Sequence, residues 1–346
     1  MNSTSPYEYD VCISFAGEDR ILAERISSYL QSSGLTIFYD SFRRDDLIGK
    51  DLSFHLQDVY ANKSRFCIIL ISQHYAQKRY TMKVEYPAAN ARNISASNEY
   101  LIPIRLDRTD LPGLLPTVGY LDLFELGEEE AMRLVAMKIL KYRYMMPPAL
   151  SFRSTEEGYL LELNKVKSSQ LIDLLCHYIY SSSTAEIRIA TLTPLRLLES
   201  SQFRLTLLML SARLREENRN GTLRMYCLSK DTDNLKKVVS HTREPLEIPP
   251  QKLEKSKKII TKLLDDENIK NHLRIALIHY TGIIPFLVFQ VADNWLFTSH
   301  KLGQKRDEWS LFYFDSRNTP SIFVDGFHNF FLDLDIRSDE CTLNWF

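Results

Sequence analysis

Apolar positions in the first third of the chain fall into short continuous runs separated by segments of helical period. Tyr9–Phe15 (YDVCISF), Leu35–Tyr39 (LTIFY) and Arg65–Ile71 (RFCIILI) are rich in β-branched and aromatic residues, the composition of strands buried on both faces. Tyr100–Leu106 (YLIPIRL) is a fourth run, with Pro103 placing it toward an edge or an irregularity, and Tyr120–Leu123 is a short fifth. Between the first two runs, Ile21, Ala23, Ile26 and Leu30 share one helical face ahead of Gly34, a suitable C-cap. Leu52, Leu56 and Val59 repeat that pattern within Asp51–Tyr60. Strands and helices alternating at these lengths predict a parallel sheet covered on both faces. In such sheets ligands sit beyond the carboxyl ends of the strands.

The segment MMPPALSFRSTEEG then breaks the periodicity with two prolines. It predicts a first domain over 1–145, a linker over 146–155 and a second domain over 156–346. The second domain reads as a helix at Glu157–Tyr180, a strand at Glu186–Ala190, an apolar helix at Pro194–Leu214, a strand at Leu223–Leu228 and a lysine-rich helix over 251–265. Leu273–Tyr280, Ile284–Asp293, Trp295–His300 and Ser310–Phe314 are close-spaced strand-like runs, which suggests hairpins or a meander on a mixed sheet. Phe327–Leu334 adds apolar mass near the end. The fold class is therefore α/β: a first domain with a central parallel sheet, then a mixed α/β or α+β domain.

Length and composition narrow the function classes. At 346 residues, two domains are the natural expectation. A net charge of −1 gives no general pull toward nucleic acid or anionic lipid. The lysines of QKLEKSKK are mixed with a glutamate and lack interleaved aromatics, so a nucleic-acid partner is not expected. The five cysteines, at 12, 67, 176, 227 and 341, form no CxxC or CxxH set and read as reduced thiols packed as small hydrophobes. No basic-then-apolar leader and no apolar run of about 20 residues stands out, so a cytoplasmic, membrane-free protein is expected. His55 and His74 are isolated and no metal site is expected. Neither GxGxxG nor GxxxxGK[ST] follows the first strand, so a nucleotide would have to be held in another way.

Five pieces in order carry a resemblance: YDVCISFAGEDR, IFYDSFRRDDLIGKDL, ILISQHYAQKRYT with Glu85 beyond it, AANAR, and YLIPIRLDRTDLPGLLPTVGYLDL. Residues 8–123 resemble a TIR domain of the bacterial type, over about a third of the chain, which implies a flavodoxin-like fold for the first domain. The resemblance implies one of two classes: adaptors that only self-associate, or enzymes that cleave NAD at the nicotinamide–ribose bond. In the second class the essential residue is a glutamate on the helix after the third strand, and Glu85 stands at that place. The family usually carries an aromatic four residues before it; here that position is Thr81, and Tyr80 is five before. Four and five residues advance a helix by about 400° and about 500°, so Tyr80 would approach from another direction.

The resemblance also implies a pocket around Glu85. Phe15 and Ala16 end the first strand, where backbone and a small side chain let a dinucleotide approach. Arg20 can pair with a phosphate or with a loop aspartate. Tyr39 and Asp40 end the second strand, and Asp40 can anchor the loop or contact ribose. Arg43 and Arg44 are followed directly by Asp45 and Asp46, a run that reads as a solvated face, although in related domains this loop closes over the site. Leu47 and Ile48 would then be contacts with a neighbouring copy. Asp107 and Asp110 read as turn-forming. NAD would be substrate, and no cofactor is implied.

In the second domain IRIAT, LRMYCL and FLVFQVADNWLFTSHKL faintly resemble the half-repeat of a phospholipase D-like domain. That family needs His-x-Lys and then an Asp, whereas His300 is followed at once by Lys301, which implies a catalytically silent copy. His300, Lys301, Lys305 and Arg306 could form a patch for an anionic ligand or a solvated charged turn. The layout is similar to bacterial antiphage defence proteins in which a partner domain binds a small-molecule or protein activator and homo-oligomeric assembly completes an NAD glycohydrolase. A TIR enzyme making a cyclic ADP-ribose signal and a non-catalytic TIR scaffold are the alternatives, with a nuclease built on the second domain as a remoter one.

Overall fold

The structure is a computed structural model and describes residues 7–39, 56–78, 86–95, 99–114, 118–146, 153–155, 158–163, 167–182, 185–191, 194–228, 250–280, 287–298, 310–337 and 344–345. It divides into two compact units, Met1–Ala149 and Leu150–Phe346.

The first unit is built on five strands: β1 (Tyr9–Ser14), β2 (Ile37–Phe38), β3 (Ser64–Ile71), β4 (Leu101–Arg105) and β5 (Leu121–Asp122). Their order is β2-β1-β3-β4-β5, and every pairing is parallel. This is the flavodoxin-like order, in which the switch point lies between β1 and β3. The continuous apolar runs follow from burial on both sides: β3 is buried at every position but Arg65. Helices α1 (Arg20–Ser32), α2 (Gln73–Gln77), α3 (Tyr86–Ser95), α4 (Leu123–Leu126) and α5 (Glu128–Met145) surround the sheet. Cys12, Cys67, Ile69 and Ile71 face a cluster completed by Tyr60, Tyr86 and Ala89. On the other face Phe66 meets Tyr142 of α5 edge-on at 5.2 Å, and Arg25 of α1 ties to Glu128 through a second bond of 2.9 Å. Pro103 sits inside β4 between two neighbours, pairing with Ile69. The expected helix over Asp51–Tyr60 is described only from Leu56 on, and it widens into a π-turn at Val59–Lys63.

The second unit holds a nine-stranded sheet made of β6 (Arg153–Ser154), β7 (Leu161–Leu163), β8 (Glu186–Ala190), β9 (Gly221–Leu228), β10 (Leu273–Tyr280), β11 (Val288–Val291), β12 (Asn294–Thr298), β13 (Leu311–Asp315) and β14 (Asn344–Trp345). The order is β14-β10-β9-β8-β11-β12-β13-β7-β6. Strands β8, β9 and β10 are parallel, and the rest pair antiparallel, so the sheet is mixed. The helices are α6 (Ser168–Ser181), α7 (Leu195–Glu199), α8 (Ser201–Glu216), α9 (Pro250–Leu264), α10 (Glu267–His272) and α11 (Ser321–Arg337).

Two features differ from the sequence reading and two sharpen it. The helix predicted over Glu157–Tyr180 begins only at Ser168, because Gly158 at φ +78° turns the chain and Leu161–Leu163 pairs with β13. The helix predicted over Pro194–Leu214 is two helices, broken where the Ser200 hydroxyl leaves the helical path and accepts from the Phe203 N–H at 3.3 Å. Within the run of close-spaced strands, β11–β13 form the antiparallel meander while β10 pairs parallel with β9. Phe327–Leu334 belongs to a long helix, α11, whose Val324, Phe331 and Leu334 pack on Trp295 and Phe314.

Gly221 opens β9 where no side chain fits: a Cβ there would stand 2.6 Å from the Ala185 Cβ and 3.0 Å from the Ala185 carbonyl oxygen. Gly221→Ala is expected to destabilise the protein by about 1–3 kcal/mol, since backbone must move to relieve the overlap. A urea unfolding midpoint equal to wild type would contradict this.

Candidate active site

The carboxyl ends of β1, β2 and β3 meet at one edge of the first sheet. Phe15 follows β1 and Tyr39 follows β2; their rings stack with centroids 5.3 Å apart and 21° between planes. The Arg20 guanidinium, in the first turn of α1, lies 5.3 Å from the Phe15 centroid and donates to the Tyr39 hydroxyl at 3.5 Å. That hydroxyl donates to the Glu24 carboxylate at 3.2 Å. Burial pushes the Tyr39 phenol up; Arg20 opposes the rise and Glu24 adds to it. Ala16 is fully buried between Phe15 and the turn Gly17–Asp19. Phe15, Ala16, Arg20 and Tyr39 are thus brought together at one edge. Asp40, Arg43, Tyr80 and Glu85 lie outside the described residues, as do Arg44, Leu47 and Ile48.

A polar lattice beneath this cluster was not foreseen from sequence. The Ser72 hydroxyl, just after β3, donates to the Asp19 carboxylate at 2.6 Å and accepts the Tyr75 N–H at 3.1 Å. The Tyr75 hydroxyl is buried and shares a 2.8 Å hydrogen bond with Ser14. Asp107, after β4, accepts the Gln73 N–H at 2.9 Å and the Thr109 N–H at 2.8 Å. Burial alone would raise the Asp107 carboxyl, but these bonds outweigh it and hold it below the usual carboxylate range. Its turn-forming role therefore extends to anchoring α2. Lys78 reaches the Glu18 carboxylate at 3.3 Å. Glu18 is held below its usual value first by its own backbone N–H and then by Lys78. A serine directly after an apolar strand and ahead of HYAQ is an N-cap signature, and it was the one readable sign of this lattice.

In α3 the Tyr86 ring is buried, with its hydroxyl lacking a partner among the described residues. Gly113, at φ +87°, lies against that hydroxyl, and Asn90 donates to the Gly113 carbonyl at 3.3 Å. The loop after β4 therefore packs against the first described turn of α3.

Residues 11–135 match the family model described as "TIR domain". The N-terminal unit is a TIR domain. Over 135 residues the chain is 40% identical to the 3′ cyclic ADP-D-ribose synthase AaTIR of Aquimarina amphilecti, covering 39% of this chain and 41% of that protein. The chain thus matches well under half of that relative's length. Among solved structures, the TIR domain of the Toll-related receptor TRR-2 from Hydra magnipapillata is similar at 23% identity and a TM-score of 0.32, over 38% of this chain and 98% of that one. A TIR-STING receptor from C. gigas, solved with 2′,3′-cGAMP, is similar at 14% identity and a TM-score of 0.32, over 90% of this chain and 74% of that one.

Outside the TIR domain, His300, Lys301, Lys305 and Arg306 fall in a segment that is not described. The described cysteines 12, 67, 176 and 227 are all buried and none forms a disulfide. Among the described residues no group of three or more His, Cys, Asp or Glu could hold a metal ion, and no helix is long and apolar enough to cross a membrane.

Proposed function

We propose that the TIR domain cleaves NAD at the nicotinamide–ribose bond and releases a cyclised ADP-ribose. The observation that carries this reading is the 40% identity over 135 residues with a cyclic ADP-ribose synthase. The cluster at the β1–β3 edge suits it: a half-buried aromatic ring, a guanidinium for a phosphate and a fully buried alanine stand where the parallel sheet presents its ligand edge.

Nicotinamide in NAD is already cationic, so the C–N bond breaks with both electrons going to the ring nitrogen and no proton is needed. The ribose carbon gains oxocarbenium character, as in glycoside hydrolysis. A carboxylate held near the ribose hydroxyls stabilises that charge if it is fixed in advance, and Glu85 is the residue assigned to it. Capture of C1 by a nucleophile within the same ADP-ribose, with loss of a proton, gives the cyclic product; capture by water gives ADP-ribose. Assembly of several copies through TIR contacts would complete the site, with the second unit binding the activator that brings them together.

The test is incubation of the full-length protein with NAD, at high concentration, with products resolved. Nicotinamide appearing with a cyclic ADP-ribose is the expected result. Nicotinamide with ADP-ribose alone would make the protein a hydrolase that depletes NAD. NAD left intact even in ordered oligomers would make the TIR domain a scaffold.

A further inference from the structure

Among the described residues α11 packs on one face of the second sheet, and beside it on that face stand arginines that are half-buried or exposed. Ala190, Tyr226 and Ala276 pack into the cluster that Phe331 and Leu334 of α11 complete. Residues two apart on a strand share a face, so Arg188 of β8, Arg224 of β9 and Arg274 of β10 lie on that same face, one step beyond the helix. Arg188 confirms it, with its guanidinium 5.8 Å from the Phe331 ring centroid. Arg188 and Arg224 are direct partners in the register of the parallel β8–β9 pair. Their Cα atoms are therefore one strand spacing apart, about 4.8 Å.

Like charges directly opposite one another on a sheet face repel. Little among the described residues offsets this. Among the described residues Arg188 makes no ion pair, and Arg224 reaches one carboxylate, Asp335, at 3.6 Å. Asp335 also accepts the Tyr226 hydroxyl at 2.8 Å, so its charge is shared. Arg274 is exposed at the outer side of the same face. On the inner side the row continues to Gln290 of β11, the register partner of Arg188, whose side-chain oxygen is buried without a partner among the described residues. Among the described residues three guanidiniums therefore stand on a rigid sheet floor with fewer charges to answer them, and two of them are fixed in place, over an aromatic ring and beside a carboxylate.

We propose that this arginine row binds the phosphate group of a small phosphate-bearing molecule, gripped by Arg188 and Arg224 with Arg274 at the rim. A phosphate group carries nearly two negative charges and three acceptor oxygens on a tetrahedron, so two planar guanidiniums side by side can each bond different oxygens of one group. A carboxylate supplies one charge in one plane, and Asp335 already provides it. The site lies in the second unit and does not depend on the NAD reading.

The test is the thermal midpoint of the full-length protein in rising inorganic phosphate against chloride at matched ionic strength, with AMP in parallel, for wild type and for Arg188→Gln with Arg224→Gln. Wild type is expected to rise by about 5 °C when phosphate is about a hundredfold above its Kd, and the double variant is expected to show no phosphate-specific rise. A larger shift with AMP than with phosphate identifies a nucleotide as the ligand; equal shifts identify free phosphate. Without ligand, the double variant should melt at or above wild type, because it loses two apposed like charges. A variant that melts well below wild type would make the arginines structural and overturn the proposal. So would a shift that chloride reproduces, or one that the variant retains.

Discussion

Glu85→Gln is expected to lower nicotinamide release from NAD by about 10³-fold, in line with loss of a pre-positioned electrostatic group at a developing charge, while leaving the melting midpoint within about 1 °C of wild type. The substitution keeps shape and hydrogen-bonding length but removes the charge that would face the oxocarbenium-like ribose. No proton transfer is asked of Glu85, so the loss should not be recovered by changing pH. Gln at 85 also leaves intact what fixes α3, the buried Tyr86 ring against Gly113 and the Asn90 bond to the Gly113 carbonyl. A structural role would show itself as a melting shift without selective loss of activity. Cleavage that persists in the Gln variant would remove Glu85 from the reaction and direct attention to Tyr80 and Arg20.

The first unit was legible because its strands are buried on both sides, and a continuous apolar run such as RFCIILI can then be read directly as β3. The meander of β11–β13 was equally open, since its turn residues separate short β-branched and aromatic runs. Leu161–Leu163 was read as helix because a strand of three residues, half-buried throughout and with Glu162 at its centre, has no alternation long enough to stand out. For α11 the obscurity has another cause. Phe323, Val324, Phe327, Phe330, Phe331 and Leu334 lie toward the sheet, but Ile322 and Leu332 are exposed on the far side, so the apolar positions go round the helix and blur its period. At the β1–β3 edge, Phe15, Arg20 and Tyr39 are singled out by the resemblance to a TIR domain, and the structure gathers them because a parallel sheet brings its strand ends to one edge. The bonds from Ser72 to Asp19 and from Asp107 to Gln73 could not be read from the sequence, because each joins residues tens of positions apart that only the folded sheet brings together.

Trp295→Ala is expected to destabilise the protein by about 3–5 kcal/mol, the range for deleting a large buried aromatic. That corresponds to a fall of about 10 °C in melting midpoint for a unit of this size. Trp295 is fully buried in the middle of the β11–β12–β13 meander. Its ring stacks on Phe314 at 5.6 Å and 7°, and Phe327 and Phe331 stand 5.6 Å and 5.9 Å away, so truncation removes contacts to β13 and α11 together. The indole N–H, however, has no hydrogen-bond partner among the described residues, and a buried donor left unsatisfied is costly. Trp295→Phe gives up ring area but also removes that donor, so its cost should be only about 1 kcal/mol, far below the alanine figure. Equal losses for the two variants in denaturant unfolding would mean that the indole nitrogen does bond in solution, for instance to a buried water. In that event the nitrogen, and not only the area of the ring, would be what selects tryptophan at this position.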